Sequence, residues 1–205
     1  MRDKKQHWEN IYACKKAEEL SWTQDKPKTS LDFIHSYDLP KTAAIIDIGG
    51  GESKLVDYLL AEGYENISVL DISVHALEKV KLRLGEKAKK VNWIVSDIEN
   101  FNPTMQYSLW HDRATFHFLT TSTQVASYLD IAKQFITGFM IIGTFSEKGP
   151  EKCSGLPVKK YFEKDLTQEL QNGFEKLKCI TEDHTTPANT IQNFLFCSFK
   201  RINKN

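Results

Sequence analysis

The sequence predicts a doubly wound α/β fold, in which a mostly parallel seven-stranded sheet ends in an antiparallel hairpin. Two observations support this fold class. Between residues 43 and 144, short apolar runs alternate with helical patterns, which is typical of parallel strands joined by helices. Two longer strand-like stretches, 175–184 and 190–201, then close the chain. Because only a short turn around Pro187 separates them, we expect these stretches to pair as an antiparallel hairpin.

The individual elements follow from apolar spacing and from residues that begin or end helices. Gly63 ends the helix after the first strand, and Ser73 is placed to cap the next helix. Further helices are predicted at 122–136 and around 163–172, and a loop rich in Gly and Pro runs from 146 to about 157. The runs that predict the parallel strands are 43–48, 67–70, 91–95, 107–110 and 138–144.

The N-terminal segment differs in character from the rest of the chain. Trp8 and Tyr12 share one face at helical spacing, and a polar loop with Trp22 leads into a second helical pattern. No linker rich in Pro, Gly or Ser divides the sequence. We therefore expect a single domain, 1–205, made of a helical lid segment, 1–40, and a core, 41–205.

Composition limits the partners and the compartment. Lys plus Arg equal Asp plus Glu at 27 each, and this zero net charge disfavours a nucleic-acid partner. The longest apolar run, near 139–142, is too short to span a bilayer, and the N-terminus has no apolar signal core. We expect a cytoplasmic protein without membrane contact that acts on a small molecule or a protein.

The cysteine spacing suggests neither a zinc site nor a disulfide framework, because no C-x-x-C pair occurs. Four thiols in a chain of this size fit a reducing compartment. The cysteines are Cys14, Cys153, Cys179 and Cys197, and Cys153 is expected to be a passive thiol because no base adjoins it.

The strongest local signal is the stretch Asp47-Ile-Gly-Gly-Gly-Glu-Ser53 at the end of the first strand. Glycines at this position let the backbone turn sharply and approach a ligand. Asp71 ends the next strand, 20 residues after Gly51, where a carboxylate can accept the hydroxyl hydrogens of a ribose. A dinucleotide fingerprint would need a tiny residue where Lys54 stands, so the pattern argues against NAD.

This pattern resembles motif I of class I S-adenosylmethionine-dependent methyltransferases, acid-x-Gly-x-Gly-x-Gly, with Ser53 in place of the last glycine. The resemblance implies a Rossmann-like fold, S-adenosyl-L-methionine as the cofactor, Asp71 as the ribose ligand and Asp97 beside the adenine. It assigns cofactor contacts to Asp47, Gly49, Gly50, Gly51, Ser53, Asp71, Ile72, Asp97 and Ile98. Within the superfamily, segments 7–12, 20–22, 109–113, 117–119 and 153–158 are similar to bacterial methyltransferases of unassigned substrate.

The candidates for catalysis follow the fourth strand, because ligands of open α/β sheets lie beyond the carboxyl ends of the strands. There His111 is expected to touch the cofactor, while Arg113 or His117 faces the substrate. Histidine can act as a base near neutral pH. The alternative is that this segment only caps a helix and forms an ion pair through Asp112. No metal site is predicted, since no ligand set has a recognisable spacing.

Tyr12 and Trp22 are expected to cover the cofactor, with an aromatic face near its sulfonium. Simple packing is the alternative, and we favour it for Trp8. The sequence thus predicts a methyltransferase with an unidentified small-molecule or protein acceptor. Two alternatives remain: an NAD(P)-dependent oxidoreductase and a non-catalytic module that binds adenosylmethionine.

Overall fold

A computed structural model describes residues 4–202, so the first and last three residues of the expected domain lie outside the described part. The main strands are β1 (Ala44–Ile48), β2 (Asn66–Asp71), β3 (Val91–Val95), β4 (Tyr107–Arg113), β5 (Ile136–Phe145), β8 (Phe174–Thr185) and β9 (Ile191–Arg201). The strands β6 (Lys152–Cys153) and β7 (Leu156–Pro157) form a separate two-stranded ribbon. The helices are α1 (Lys4–Cys14), α2 (Lys28–His35), α3 (Leu55–Ala61), α4 (Val74–Leu84), α5 (Ser122–Phe135) and α6 (Glu163–Leu170).

The seven main strands form one sheet in the order β3-β2-β1-β4-β5-β9-β8. The first five strands run parallel to one another, while β9 is antiparallel to both β5 and β8. The predicted fold class, a mostly parallel seven-stranded sheet with a terminal antiparallel hairpin, is confirmed. The strand order reverses at β1, because β2 and β3 lie on one side of it and β4 and β5 on the other, and in such sheets the ligand crevice lies at this switch point.

Side chains of each central strand alternate between two cores, which explains why the strands are apolar on both faces. On one face, Ile46 and Ile48 pack with Leu129 of α5 and Leu166 of α6. On the other face, Ile45 packs with residues of α2, α3 and α4. Helices therefore cover both faces of the sheet, as a doubly wound fold requires.

The strand β4 is longer than the sequence predicted. Predicted at 107–110, it continues to Arg113, so His111 and Asp112 lie within the sheet and pair with Ile141 and Ile142 of β5. The carboxyl edge of β4 therefore begins at Arg113. The loop predicted at 146–157 contains the β6–β7 ribbon, which is antiparallel and too short for its period to be read from the sequence.

The helix α1 is fastened to the start of α4 by one carboxylate. Glu9 accepts hydrogen bonds from the backbone N–H groups of Val74 (2.8 Å) and His75 (3.1 Å) and from Oγ of Ser73 (2.8 Å). Ser73 also caps α4 by accepting from the N–H of Ala76, as the sequence predicted. The free N–H groups of the first turn of α4 are thus shared between a local cap and the N-terminal segment.

Two of the four cysteines form a disulfide, which corrects the expectation of a chain without disulfides. Cys179 of β8 and Cys197 of β9 are directly opposite in the hairpin and are joined, whereas Cys14 and Cys153 are free. The spacing of 18 residues matches no motif, so only the strand register brings the pair together. Within residues 4–202, no helix has both the length and the apolarity that crossing a bilayer requires.

Candidate functional site

A cavity of about 280 Å³ lies beyond the carboxyl ends of β1, β2, β3 and β4. It is the place where an open α/β sheet holds its ligand. Eight of the residues predicted to form the site line this cavity, namely Tyr12, Trp22, Gly49, Asp71, Ile72, Asp97, Ile98 and Arg113. The others, Asp47, Gly50, Gly51, Ser53, His111 and His117, lie outside its lining.

The glycine turn brings backbone close to both the cavity and Asp71. Gly49 and Gly51 have φ angles of 63° and 49°, a conformation that favours glycine. A Cβ atom on Gly51 would come within 2.3 Å of the Tyr12 hydroxyl, and one on Gly50 within 2.6 Å of Val69. Larger residues would therefore push the turn away from β2 and from α1. Ser53 starts α3 by accepting a hydrogen bond from the N–H of Leu55 (3.1 Å).

Asp71 is the acid best placed to bind a hydroxyl group. Its carboxyl oxygens accept backbone hydrogen bonds from Gly51 and Ser73, both at 2.8 Å, and it lines the cavity together with Ile72. Burial raises the pKa of Asp71 to about 7, although these two hydrogen bonds act in the opposite direction. Each carboxylate oxygen has a second lone pair, so Asp71 can still accept hydrogen bonds from a ligand.

Asp97 and Ile98 extend the same wall beyond β3. Asp97 holds the next turn because its Oδ1 accepts a hydrogen bond from the N–H of Glu99 (3.1 Å), while its Oδ2 takes no part in the turn. Glu99 also lines the cavity, pairs with Lys4 of α1 and accepts a hydrogen bond from Gln124 (2.9 Å). The β3 end of the cavity is therefore polar and acidic.

His111 lies inside a buried chain of three polar groups. Its Nδ1 is 2.7 Å from Oδ1 of Asp47, and its Nε2 is 2.8 Å from Oγ of Ser30 in α2. The order of groups is that of a serine-hydrolase triad. However, all three residues are at most 3% exposed, and none of them lines the cavity. The arrangement explains the buried Asp47 and ties α2 to the sheet, and contact of His111 with a cofactor stays a prediction.

His117 is completely buried, and its ring is stacked on Phe145 at a centroid distance of 4.2 Å. Neither ring nitrogen has a hydrogen-bond partner within residues 4–202. Burial and, to a smaller extent, the positive charge of Arg113 together lower the pKa of His117 to about 3. The ring is therefore neutral at physiological pH and does not line the cavity, so a role as the base remains a prediction that this geometry does not favour.

Arg113 is the predicted substrate-facing residue that does reach the cavity. Its guanidinium donates a hydrogen bond to the carbonyl of Trp22 (2.9 Å) and lies over the ring of Phe194 (4.8 Å). Burial lowers the pKa of Arg113 to about 10, while the negative charges of Glu182 and Asp47 raise it. The side chain is therefore a cation at neutral pH.

Four rings form what we call the aromatic wall of the cavity: Trp8, Tyr12, Trp22 and Phe118. Trp8 lies edge-on to Trp22 at 5.8 Å and to Phe118 at 5.1 Å, and Tyr12 contacts Trp22 at 6.3 Å. Such edge-to-face contacts stabilise a defined arrangement of the rings. The N-terminal segment thus covers the cavity directly, and Trp8, for which we expected only packing, is part of its surface.

Comparison with known proteins agrees with this geometry. No protein-family model matches the chain. Malonyl-acyl-carrier-protein O-methyltransferase 1 of Ilyobacter polytropus is 31% identical over 161 residues, which are 74% of this chain and 59% of that protein. The corresponding enzyme of Anoxybacillus flavithermus is 33% identical over 107 residues, which are 51% of this chain and 39% of its own. The chain therefore spans less than two thirds of these relatives.

Solved structures show the same fold along nearly the whole chain. The N-methyltransferase NodS of Bradyrhizobium japonicum, in complex with S-adenosyl-L-homocysteine, has a TM-score of 0.73 and 13% identity, covering 98% of this chain and 100% of that one. The magnesium protoporphyrin IX methyltransferase of Synechocystis, with bound S-adenosylmethionine, has a TM-score of 0.73 and 12% identity, covering 98% and 99%. The chain therefore has the fold of these S-adenosylmethionine-dependent methyltransferases.

The sequence predicted the residues on the β1–β3 side of the cavity better than those on the β4 side. Motif I, Asp71 and Asp97 directly follow buried apolar strands, so their positions could be predicted from the sequence. Thr115, whose Oγ1 is 1.8 Å from where a Cβ of Gly49 would stand, was missed because it follows an unrecognised strand extension. The following lining residues lie after β4 and in the β6–β7 ribbon and were not assigned to the site: Phe118, Leu119, Thr120, Cys153, Leu156 and Pro157.

Proposed function

We propose that the chain is an S-adenosylmethionine-dependent methyltransferase that acts on a small-molecule or protein nucleophile. One observation carries the proposal: Gly49 of the glycine turn, Asp71 beyond β2 and Asp97 beyond β3 all line one cavity. A nucleoside needs hydroxyl acceptors and an adjoining slot for its base, and these residues offer both. The aromatic wall and Arg113 then border the part of the cavity nearest β4.

S-adenosylmethionine supplies, when bound, a methyl group that its sulfonium already activates. The residues of the chain then have three tasks. Asp71 would hold the ribose hydroxyls, Asp97 and Ile98 would flank the adenine, and the aromatic wall would exclude water and favour a positive charge. A cation above an aromatic face is stabilised by about 0.5–2 kcal/mol. The acceptor must be held with its nucleophilic atom roughly 3–3.5 Å from the carbon that it attacks.

The β4 side of the cavity provides little for removing a proton. Burial raises the pKa of the Cys153 thiol to about 11, so this residue is a neutral thiol at physiological pH. His117 is neutral but does not line the cavity, and His111 is engaged by Asp47 and Ser30. We infer that the acceptor ionises without help from these three residues. Malonyl-acyl-carrier protein, the substrate in the relatives' names, is one acceptor to be tried.

The proposal is tested by calorimetric titration with S-adenosylhomocysteine and, in parallel, with NADH. We expect S-adenosylhomocysteine to bind and NADH not to bind. Asp71→Ala should weaken the binding at least tenfold, about 1.4 kcal/mol. Asp130→Ala, which removes an exposed carboxylate on α5, is the matched control and should bind as the wild type does. Binding of NADH in place of S-adenosylhomocysteine would identify an oxidoreductase instead.

Methyl transfer itself is tested with a cell extract and cofactor whose methyl group carries a heavy isotope. Mass spectrometry should find a labelled product that is absent when the Asp71→Ala variant is used. Tight binding of S-adenosylhomocysteine without any labelled product would favour the third possibility, a module that binds the cofactor without catalysis.

A further inference from the structure

We propose that Arg113 is the anion-binding residue of the acceptor site, and that the acceptor is an acid with a flat apolar body. This inference rests on the proposed methyltransferase function and specifies its substrate class. It starts from a guanidinium whose charge is balanced only at a distance, by the carboxylates of Glu182 and Asp47. Within residues 4–202, Arg113 forms no ion pair at 4.0 Å or less; its polar contact is with the Trp22 carbonyl, although the side chain is mostly buried.

The local contacts of Arg113 satisfy only part of its hydrogen-bonding capacity. One terminal nitrogen donates to the carbonyl of Trp22, and the Nε atom is buried without a partner among the described residues. A guanidinium has five N–H donors in one plane, which match the two oxygens of a carboxylate. Because a buried charge without a counter-ion is costly, an anionic ligand would stabilise this arrangement.

The acids of the cavity are too far away to serve as this counter-ion. Asp71 and Asp97 follow β2 and β3, whereas Arg113 ends β4 on the other side of β1. Strands are about 4.8 Å apart, so two intervening steps place β2 and β4 roughly 10 Å from each other. Glu99, the remaining acid of the lining, is paired with Lys4. Among the described residues that line the cavity on its β4 side, Arg113 is therefore the charged one.

The groups nearest to Arg113 reinforce this preference for an anion. His117 and Cys153 are both uncharged at neutral pH, as described above. Glu182 stabilises the Arg113 cation by long-range electrostatic attraction, without a hydrogen bond between the two side chains. A protonated amine placed beside Arg113 would be repelled by a like charge in a poorly solvated site. A lysine side chain is therefore a poor acceptor, and an acidic molecule is a good one.

The walls around Arg113 indicate the shape of the rest of the acceptor. Trp8, Trp22 and Phe118 present rings, and Leu156 and Pro157 of the β7 strand present aliphatic surface. Pockets with aromatic walls bind flat apolar groups, and a single charged residue then fixes their orientation. An aromatic or otherwise planar acid satisfies both features.

The inference is tested with three probes of one shape that differ in charge: benzoate, benzamide and benzylamine. Each is titrated by ligand-observed NMR into protein saturated with S-adenosylhomocysteine. We expect benzoate to bind at least tenfold more tightly than benzamide, and benzylamine to bind most weakly. Arg113→Gln should remove the preference for benzoate, while Arg113→Lys should keep part of it. Lys89→Gln, which removes an exposed lysine, is the control for net charge and should leave the preference unchanged.

Equal binding of the three probes, or binding of none, would overturn the inference. Arg113→Gln keeps an N–H donor for the Trp22 carbonyl, and thermal unfolding confirms that the variants are folded. If the wild type fails to bind S-adenosylhomocysteine, the proposed function itself fails, which is a separate outcome of the same titration.

A carboxylate at Arg113 has a second conceivable source, the amino-acid end of the cofactor. Titrations with S-adenosylhomocysteine and with 5′-methylthioadenosine, which lacks that end, distinguish the two sources. If Arg113 serves the acceptor, Arg113→Gln should change both affinities by less than twofold. A tenfold loss for S-adenosylhomocysteine alone would show that Arg113 holds the cofactor, and this result would overturn the inference.

Discussion

A single buried carboxylate organises the centre of the sheet. Asp47 occupies an otherwise apolar strand, where an isolated charge would be strongly destabilising. His111 on the adjacent strand contacts it at 2.7 Å, and Ser30 contacts the other ring nitrogen, so the three side chains satisfy one another. The same contacts hold α2 against the sheet. The main contribution of His111 is thus expected to be to stability.

We therefore predict that His111→Ala lowers the free energy of unfolding by about 3 kcal/mol or more, because it leaves the Asp47 carboxylate buried without its partner. Urea denaturation measures this loss. His35→Ala is the matched control, since His35 contacts Glu62 at the surface and is about half exposed. It should cost less than about 1 kcal/mol. If His111→Ala unfolds like the wild type yet binds S-adenosylhomocysteine poorly, then His111 contacts the cofactor instead.

The polar residues of the site differ in how well the sequence alone predicts their positions. Asp71 and Asp97 were recognisable because they directly follow buried apolar runs of ordinary length. His111 was expected at the open edge of the sheet because the three consecutive polar residues His-Asp-Arg are typical of the end of a strand. Asp47 and Tyr128 pair with His111 and Asp112, so polar residues continue the strand inside the protein. Such pairings join residues far apart in sequence and cannot be read from one segment.

At the scale of elements, the position of α1 depends on Glu9. Burial alone would raise the pKa of Glu9, but hydrogen bonds from His75, Ser73 and the backbone of Val74 lower it to about 2. The carboxylate therefore binds α4 in its ionised form. This contact fixes the helix that carries Trp8 and Tyr12, so it positions half of the aromatic wall.

We predict that Glu9→Gln destabilises the protein by about 1–2 kcal/mol at pH 7, because an amide cannot replace all the hydrogen bonds that the carboxylate accepts. The folded pKa of about 2 lies below the usual value of 4.5. The stabilisation by Glu9 is thus fully present above pH 4.5, and it is lost as the pH falls from there towards 2.

Urea denaturation of wild type and Glu9→Gln at pH 7 and pH 3 measures this effect. The difference between the two proteins should be clearly smaller at pH 3. Glu18→Gln, an exposed residue of the same segment, should behave as the wild type does at both values. A difference that stays constant between pH 7 and pH 3 would mean that the ionised carboxylate does not hold α1.

Elements with a periodic apolar pattern could be predicted from the sequence, whereas elements whose position depends on tertiary contacts could not. The five parallel strands and α5 lie close to their predicted positions, because each has enough apolar residues to set a period. The β6–β7 ribbon has two residues in each strand and no period at all. Its place near the cavity is decided by tertiary contacts, which a single sequence does not reveal.

At the scale of the whole molecule, the terminal hairpin is coupled to the cavity. Phe194 of β9 supports the Arg113 guanidinium, and Glu182 of β8 contributes to its electrostatic surroundings. The disulfide between Cys179 and Cys197 joins the same two strands three residues away from each of these side chains. Any change in hairpin stability should therefore also change how firmly Arg113 is held.

The disulfide leads to a prediction about the whole protein, the number of reactive thiols. Titration with a thiol reagent should detect about one thiol in the native protein, because Cys14 is exposed and Cys153 is buried. Denaturation without a reductant should give two thiols, and denaturation after reduction should give all four.

Opening the bond by Cys179→Ser should lower the free energy of unfolding by roughly 3 kcal/mol, since an 18-residue separation restricts the unfolded chain. Cys14→Ser is the control and should leave stability unchanged. Four reactive thiols in the denatured, unreduced protein would show that the two cysteines are opposite each other in the hairpin without being bonded, and Cys179→Ser should then have only a small effect.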